Sequence, residues 1–133
     1  MFRQDHRAEA VATRIDHLMS AVFVADDGER REALDRHLAP DFVYVTPEAV
    51  FEGADGLSEA FAPYRRPDRS PASVRRTSPV ELHHGYFRFS WVRTERGTTA
   101  HEGVAFGALD ETGAINRVVT FEGLVPLGPN DRS

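Results

Sequence analysis

Cysteine is absent from this sequence. That excludes disulfides, thiolate nucleophiles and thiolate metal sites, and it agrees with a reducing compartment. Long apolar runs are lacking too, and the opening residues M-F-R-Q-D-H-R-A-E-A carry no hydrophobic segment of the signal-peptide kind. Neither secretion nor a membrane span is expected, and the expected location is cytoplasmic. Positive charge is in short supply: the formal net charge is -5 with the two signs interspersed. The cluster Arg65, Arg66, Arg69, Arg75 and Arg76 is too modest for a nucleic-acid face. The six histidines show no recognisable metal spacing. His101-Glu102 is not the zinc signature H-E-x-x-H, because Ala105 stands three beyond Glu102. G-A-D-G at 53–56 lacks the glycine-rich turn and lysine that hold a nucleotide. No metal and no cofactor is expected.

What remains is enough for one domain. At 133 residues the chain can bury a real core, placed at about 8–124, with residues 125–133 as a flexible tail. Between 8 and 25 the apolar residues Val11, Ile15, Leu18, Met19, Val22 and Phe23 recur at spacings of three and four, which predicts a helix. A second helix is expected over 31–38, ended by Pro40. F-V-Y-V-T at 42–46 reads as a strand and 49–52 as a short return strand. A third helix carries Leu57, Ala60, Phe61 and Tyr64. The proline-rich stretch 63–71 reads as a surface loop. Four strands follow, at about 73–82, 86–94, 99–109 and 115–122, joined by turn-like segments and hence paired antiparallel. Helices first and a meander last make an α+β layout.

The stretch 86–123 carries the clearest functional signal. Period-two alternation places Phe87, Phe89 and Trp91 on one face of their strand, opposite neighbours presenting Gly103, Ala105 and Gly107. Bulky side chains facing small ones leave room for a cavity, the usual seat of small-molecule binding. His101 can act as acid or base near neutral pH, while Glu102, the next residue along the strand, faces the other way. His83 and His84, beside Gly85, read as exposed turn residues. Asp41, Asp110 and Glu111 read as turn formers.

The element order, A-L-D-R-H-L-A-P-D-F, G-A-D-G-L-S-E-A-F, F-R-F-S-W and the ending L-D-E-T-G-A-I-N-R-V-V-T-F together resemble the nuclear transport factor 2-like superfamily, in its SnoaL-like and ketosteroid isomerase-like branch. The likeness covers about 12–123. It implies a cone-shaped fold in which a curved, mixed, largely antiparallel sheet wraps around the N-terminal helices and encloses a pocket. Matched to that pattern, the pocket side would carry Tyr44, Thr46, Phe87, Phe89, Trp91, His101, Gly103, Ala105, Val118, Thr120 and Glu122. The positions of the ketosteroid isomerase base, helix tyrosine and buried aspartate hold Thr46, Val22 and Ala105. None of these can transfer a proton in that mechanism.

Two functions stay open. One is an isomerase, cyclase or dehydratase acting on a hydrophobic, oxygen-bearing small molecule, with His101, Tyr44 and Glu122 as the acid–base groups. The other is a binding or accessory protein without catalysis. A homodimer is expected in either case, because Val92, Val104, Phe106, Val119 and Phe121 fall on the opposite, convex face as an apolar set.

Overall fold

The computed structural model describes residues 2–65 and 72–123; the expected tail and part of the proline-rich loop lie outside them. Helix α1 spans Phe2–Ala21, and its repeat of three and four buries Val11, Ile15, Leu18 and Val22 along one face. Asp26 caps the next helix, α2 (Asp27–Asp35), with Oδ2 accepting the Glu29 N–H at 2.8 Å. Arg30 of α2 is buried and ties three segments together. Its guanidinium donates to the Val24 and Ala25 carbonyls, to Ser58 Oγ and to Asp27.

Strand β1 is Leu38–Val45, earlier than the expected start. Pro40 therefore does not end a helix but lies within the strand, and Asp41 is an exposed strand residue, not part of a turn. The register of β1 is irregular between Leu38 and Val43, where proline's missing N–H breaks no regular ladder. Strand β2 (Val50–Glu52) turns directly into α3 (Gly53–Phe61), followed by a 3-10 turn at Ala62–Tyr64. The strand expected at 73–82 is two: β3 (Ala72–Arg76) and β4 (Glu81–His83). Ser78 interrupts it, its hydroxyl accepting the Ser90 N–H at 2.8 Å in place of a backbone partner. Strands β5 (Tyr86–Glu95), β6 (Thr98–Leu109) and β7 (Ile115–Glu122) form the long meander. The turns leading into β5 and β6 place His84-Gly85 and Arg96-Gly97 at positive φ, which matches the twist of tight hairpins.

The sheet order is β2-β1-β7-β6-β5-β3, with β4 also on β5 and β1 running parallel to β7. This corrects the expectation of a cone wrapped around the helices. The sheet is mixed and largely antiparallel, but the path ends at β2 and β3 without closing, so it is an open sheet rather than a strongly curled one. Two features keep the ends apart. Strand β2 has only three residues before the chain leaves for α3, and β3 pairs only with β5 among the described strands.

Helix α1 packs against β3 and β4, and α3 against β1. The core between helices and sheet centres on Leu34, Phe42 and Ile115, all essentially inaccessible. Each such side chain contributes about 1.5–3 kcal/mol by leaving water. The other sheet face is less covered: Phe106 and Phe121 are exposed, with ring centroids 5.8 Å apart in an edge-to-face pair. No described helix is long and apolar enough to cross a membrane.

Candidate functional site

A cavity of about 220 Å³ lies between α1, the β1–α3 region and the helix-facing side of β5, β6 and β7. Its apolar wall follows from two periodicities. The stripe of α1 supplies Ile15, Leu18 and Val22, and every second residue of β5 supplies Phe89, Trp91 and Arg93. The cross-strand register sets Phe87 opposite Gly107, Phe89 opposite Ala105 and Trp91 opposite Gly103, as the alternation requires.

The small residues, however, do not simply leave a hole. A Cβ at Gly103 would overlap the Trp91 ring, and one at Gly107 would overlap the Phe87 ring. The aromatic side chains lie across the glycines and fill that space. Phe87, expected at the pocket, is therefore a core residue, 3% exposed, stacked on Phe89 and outside the cavity lining. Phe89, Trp91, Ala105, Val118, Thr120, Glu122, Tyr44 and Thr46 do border the cavity.

Tyr44 stacks on Phe61, with centroids 6.0 Å apart. Burial, reinforced by the neighbouring Tyr64 hydroxyl, pushes its phenol up to about 12. It is a neutral hydrogen-bonding group at ordinary pH. Thr46 is engaged in its own turn: Oγ1 accepts the N–H groups of Ala49 at 3.0 Å and Glu48 at 3.3 Å. Thr46, Val22 and Ala105, the positions that the resemblance matched to the ketosteroid isomerase groups, all border the cavity.

His101 does not line the cavity, but its Nδ1 stands 3.5 Å from Glu122 Oε1, which does. Gly103 pairs with Glu122 and Arg93 with His101, so the two side chains meet diagonally across β6 and β7. Both are 44% exposed, at the solvent edge of the site.

The sequence reading did not single out Arg93. The signal was present, since 93 continues the series 87, 89, 91. Its guanidinium carbon sits 4.6 Å from the centre of the Tyr64 ring, a cation held over an aromatic face. Three polar atoms of the lining have no hydrogen-bond partner among the described residues although they are buried: Trp91 Nε1, Arg93 Nε and Thr120 Oγ1. Trp91 and Thr120 are only 8% and 9% exposed. An unsatisfied buried donor costs about 1–3 kcal/mol, and all three belong to residues that border the cavity. Among the described residues, no three histidine, aspartate or glutamate side chains gather closely enough to hold a metal ion.

Neither a protein-family model nor a curated protein matches the sequence. Solved structures do. A candidate isomerase of the SnoaL-like family from Agrobacterium tumefaciens superposes with a TM-score of 0.71 at 23% identity, over 84% of this chain and 95% of that one. A candidate SnoaL-like polyketide cyclase from Jannaschia gives 0.59 at 15% identity, over 83% of each chain. A hypothetical protein with a ketosteroid isomerase-like fold from Catenulispora acidiphila, in complex with trimethylamine, gives 0.61 at 15% identity, over 81% of this chain and 83% of that one. At these identities the likeness establishes the fold and leaves the chemistry to the site.

Proposed function

We propose that this chain, with its nuclear transport factor 2-like fold, binds a hydrophobic, oxygen-bearing small molecule in the cavity and acts on it by acid–base chemistry. The observation that carries the reading is the set of unpartnered buried groups, Trp91 Nε1, Thr120 Oγ1 and Arg93 Nε, on residues of a largely apolar lining that also includes two carboxylates, Glu48 and Glu122. Apolar walls hold the hydrocarbon body and a few polar groups fix its orientation. Glu122 is the proton acceptor in this reading. His101, 3.5 Å away, positions it and exchanges the proton with solvent, and Tyr44 donates a hydrogen bond from its neutral phenol. Isomerisation, cyclisation and dehydration all begin with such a proton transfer. SnoaL-like isomerase and cyclase candidates among the structural relatives support the same class.

The test needs no natural substrate. Deuterium uptake at the carbon next to a carbonyl, followed by NMR on small ring ketones, reads proton abstraction directly. Protein-dependent uptake that falls by about a hundred-fold or more in Glu122→Gln, with a smaller loss in His101→Gln, supports catalysis. Uptake unchanged in Glu122→Gln removes the assigned role. Binding without uptake favours the second reading, a ligand-binding or accessory protein, which the lack of the ketosteroid isomerase groups at Val22, Thr46 and Ala105 supports. In either reading the exposed face carrying Phe106 and Phe121 is proposed to be covered by a second copy of the chain.

A further inference from the structure

We infer that the ligand carries a single ring, and that Trp91 is the residue that sets this limit. This rests on the pocket reading above and adds the size of the compound. At about 220 Å³ the cavity offers the room of roughly seven waters at about 30 Å³ each. A methylene group takes up about as much space as a water molecule, so the room is that of one six-membered ring with its oxygen. It falls below the roughly 300–1,000 Å³ of sites for drug-sized ligands.

The strand register shows how that room is laid out. Glu122 and Trp91 share the row of Gly103, and Thr120 and Phe89 share the row of Ala105 next to it. Glu122 is 44% exposed, whereas Thr120, Phe89 and Ala105 are buried, so the cavity deepens from the Gly103 row toward the Ala105 row. A ring with its reacting carbon at Glu122 therefore has its body against Phe89 and Ala105. Leu18, Val22, Phe42 and Leu57, also buried, border the cavity as well. A second fused ring finds no place among these side chains and stays in water.

Trp91 decides how much room the Gly103 row leaves. β6 contributes no side chain there, and the indole lies where a Gly103 Cβ would stand. Phe87 covers Gly107 in the same manner, but of the two rings only Trp91 borders the cavity. Shortening the side chain at 91 removes a fused pair of rings from above bare backbone. No β6 side chain stands at that position to fill the gap, so the freed space joins the cavity. Trp91 Nε1 has no partner among the described residues, and no hydrogen bond is lost in the exchange.

Trp91 is the sole tryptophan and lines the cavity, so its fluorescence reports occupancy in the wild type. The backbone amide signals of Ala105 and Val118, both in the lining, report it by NMR in every variant. The experiment titrates the full chain with cyclohexanone and with trans-2-decalone, which adds a fused second ring, in wild type and in Trp91→Leu, with folding checked by circular dichroism. A site with room for the second ring would bind decalone more tightly by about a hundred-fold. The expected result is that the wild type binds decalone less than about ten-fold tighter than cyclohexanone, and that Trp91→Leu shifts the ratio toward decalone by about ten-fold or more. If Trp91→Leu does not fold, Trp91→Phe takes its place, with a shift of about three-fold or more expected because one of the two fused rings is removed. Decalone binding to the wild type by about ten-fold or more over cyclohexanone overturns the one-ring limit and leaves the pocket reading standing. A ratio that does not shift in a folded Trp91 variant overturns Trp91 as the source of the limit. No response of Trp91 or of the two amides to either ketone at millimolar concentration sinks both the inference and the pocket reading.

Discussion

At the scale of single residues, the site depends on positions where a side chain has no room to change. Gly103 is the clearest. A Cβ there would overlap both the Phe121 carbonyl oxygen and the Trp91 ring. Gly103→Ala is expected to destabilise the fold by about 1–3 kcal/mol, read as a lower denaturant midpoint. It should also shift Trp91 emission, because the indole must lift off β6. Tyr44 gives a pH prediction. Its phenol is raised from the ordinary 10.0 to about 12 by burial, so the folded state keeps the proton where the unfolded chain would release it. The associated stability is fully present below about pH 10 and is lost as pH rises through about 12. Ultraviolet titration of the three tyrosines should show one late step, absent in Tyr44→Phe. A Tyr44→Phe variant with the same titration curve as wild type would contradict this. Legibility also varied residue by residue. Trp91 and Thr120 could be placed on the cavity side by counting in twos along a strand. Phe87 could not be separated from them, because alternation gives the face and not how far a ring slides over an opposing glycine. Arg93 was reachable by the same count, but an arginine two places from a strand end reads as a surface charge until Tyr64 is seen beneath it.

Among the elements, the strands of the meander were the easiest to read, and the joins were the hardest. The long strands β5, β6 and β7 end within about a residue of the expected bounds because their turns carry glycine at positive φ. Pro40 misled because a proline after helix-like sequence usually stops a helix, whereas here α2 has already ended at Asp35 and the proline sits where β1 is irregular. The junction of α1, α2 and α3 depends on a side chain no local pattern could reveal. Arg30 looks like an ordinary surface charge in D-D-G-E-R-R, yet it is 7% exposed and bonded to Val24, Ala25, Ser58 and Asp27. Arg65 adds to the same junction, donating to the Val22 carbonyl at 2.7 Å and to Ser58. Val22 also borders the cavity, so this network fixes the end of α1 against the site. Arg30→Ala is expected to cost about 1.5–3 kcal/mol, the scale of hydrogen bonds to a charged group. The neighbouring Arg31→Ala, whose partners Asp35 and Asp55 are exposed, should cost clearly less, because water and salt screen exposed ion pairs. Comparing the two denaturation curves checks the contrast, and equal losses would refute it.

For the molecule as a whole, the open sheet raises the question of its second face. The helices and the cavity occupy one side. On the other, Phe121 is 54% and Phe106 40% exposed, with Val104 and Val119 half-buried beside them. Their backbones are adjacent, since Val104 pairs with Phe121 and Phe106 with Val119, so the four make a contiguous apolar patch at the middle of the meander. Such a patch is uncommon on a stable monomer. Beside it Arg88, which faces Phe106 across the strands, pairs with Glu81 at 2.9 Å. An apolar centre with a polar rim is the anatomy of a protein interface. A second copy satisfies it with the fewest assumptions, since two-fold symmetry lays the same patch on itself. The proposed dimer predicts a solution mass near twice the 14.9 kDa of the chain by light scattering at micromolar concentration. Phe106→Glu should return the mass to that of one chain, with the cavity intact and the Trp91 response to ligand preserved. A mass of one chain for the wild type across that range would sink the dimer. Loss of the Trp91 response in a folded, monomeric Phe106→Glu variant would instead mean that the two faces of the sheet are coupled, with the second subunit needed to hold β6 and Trp91 in place.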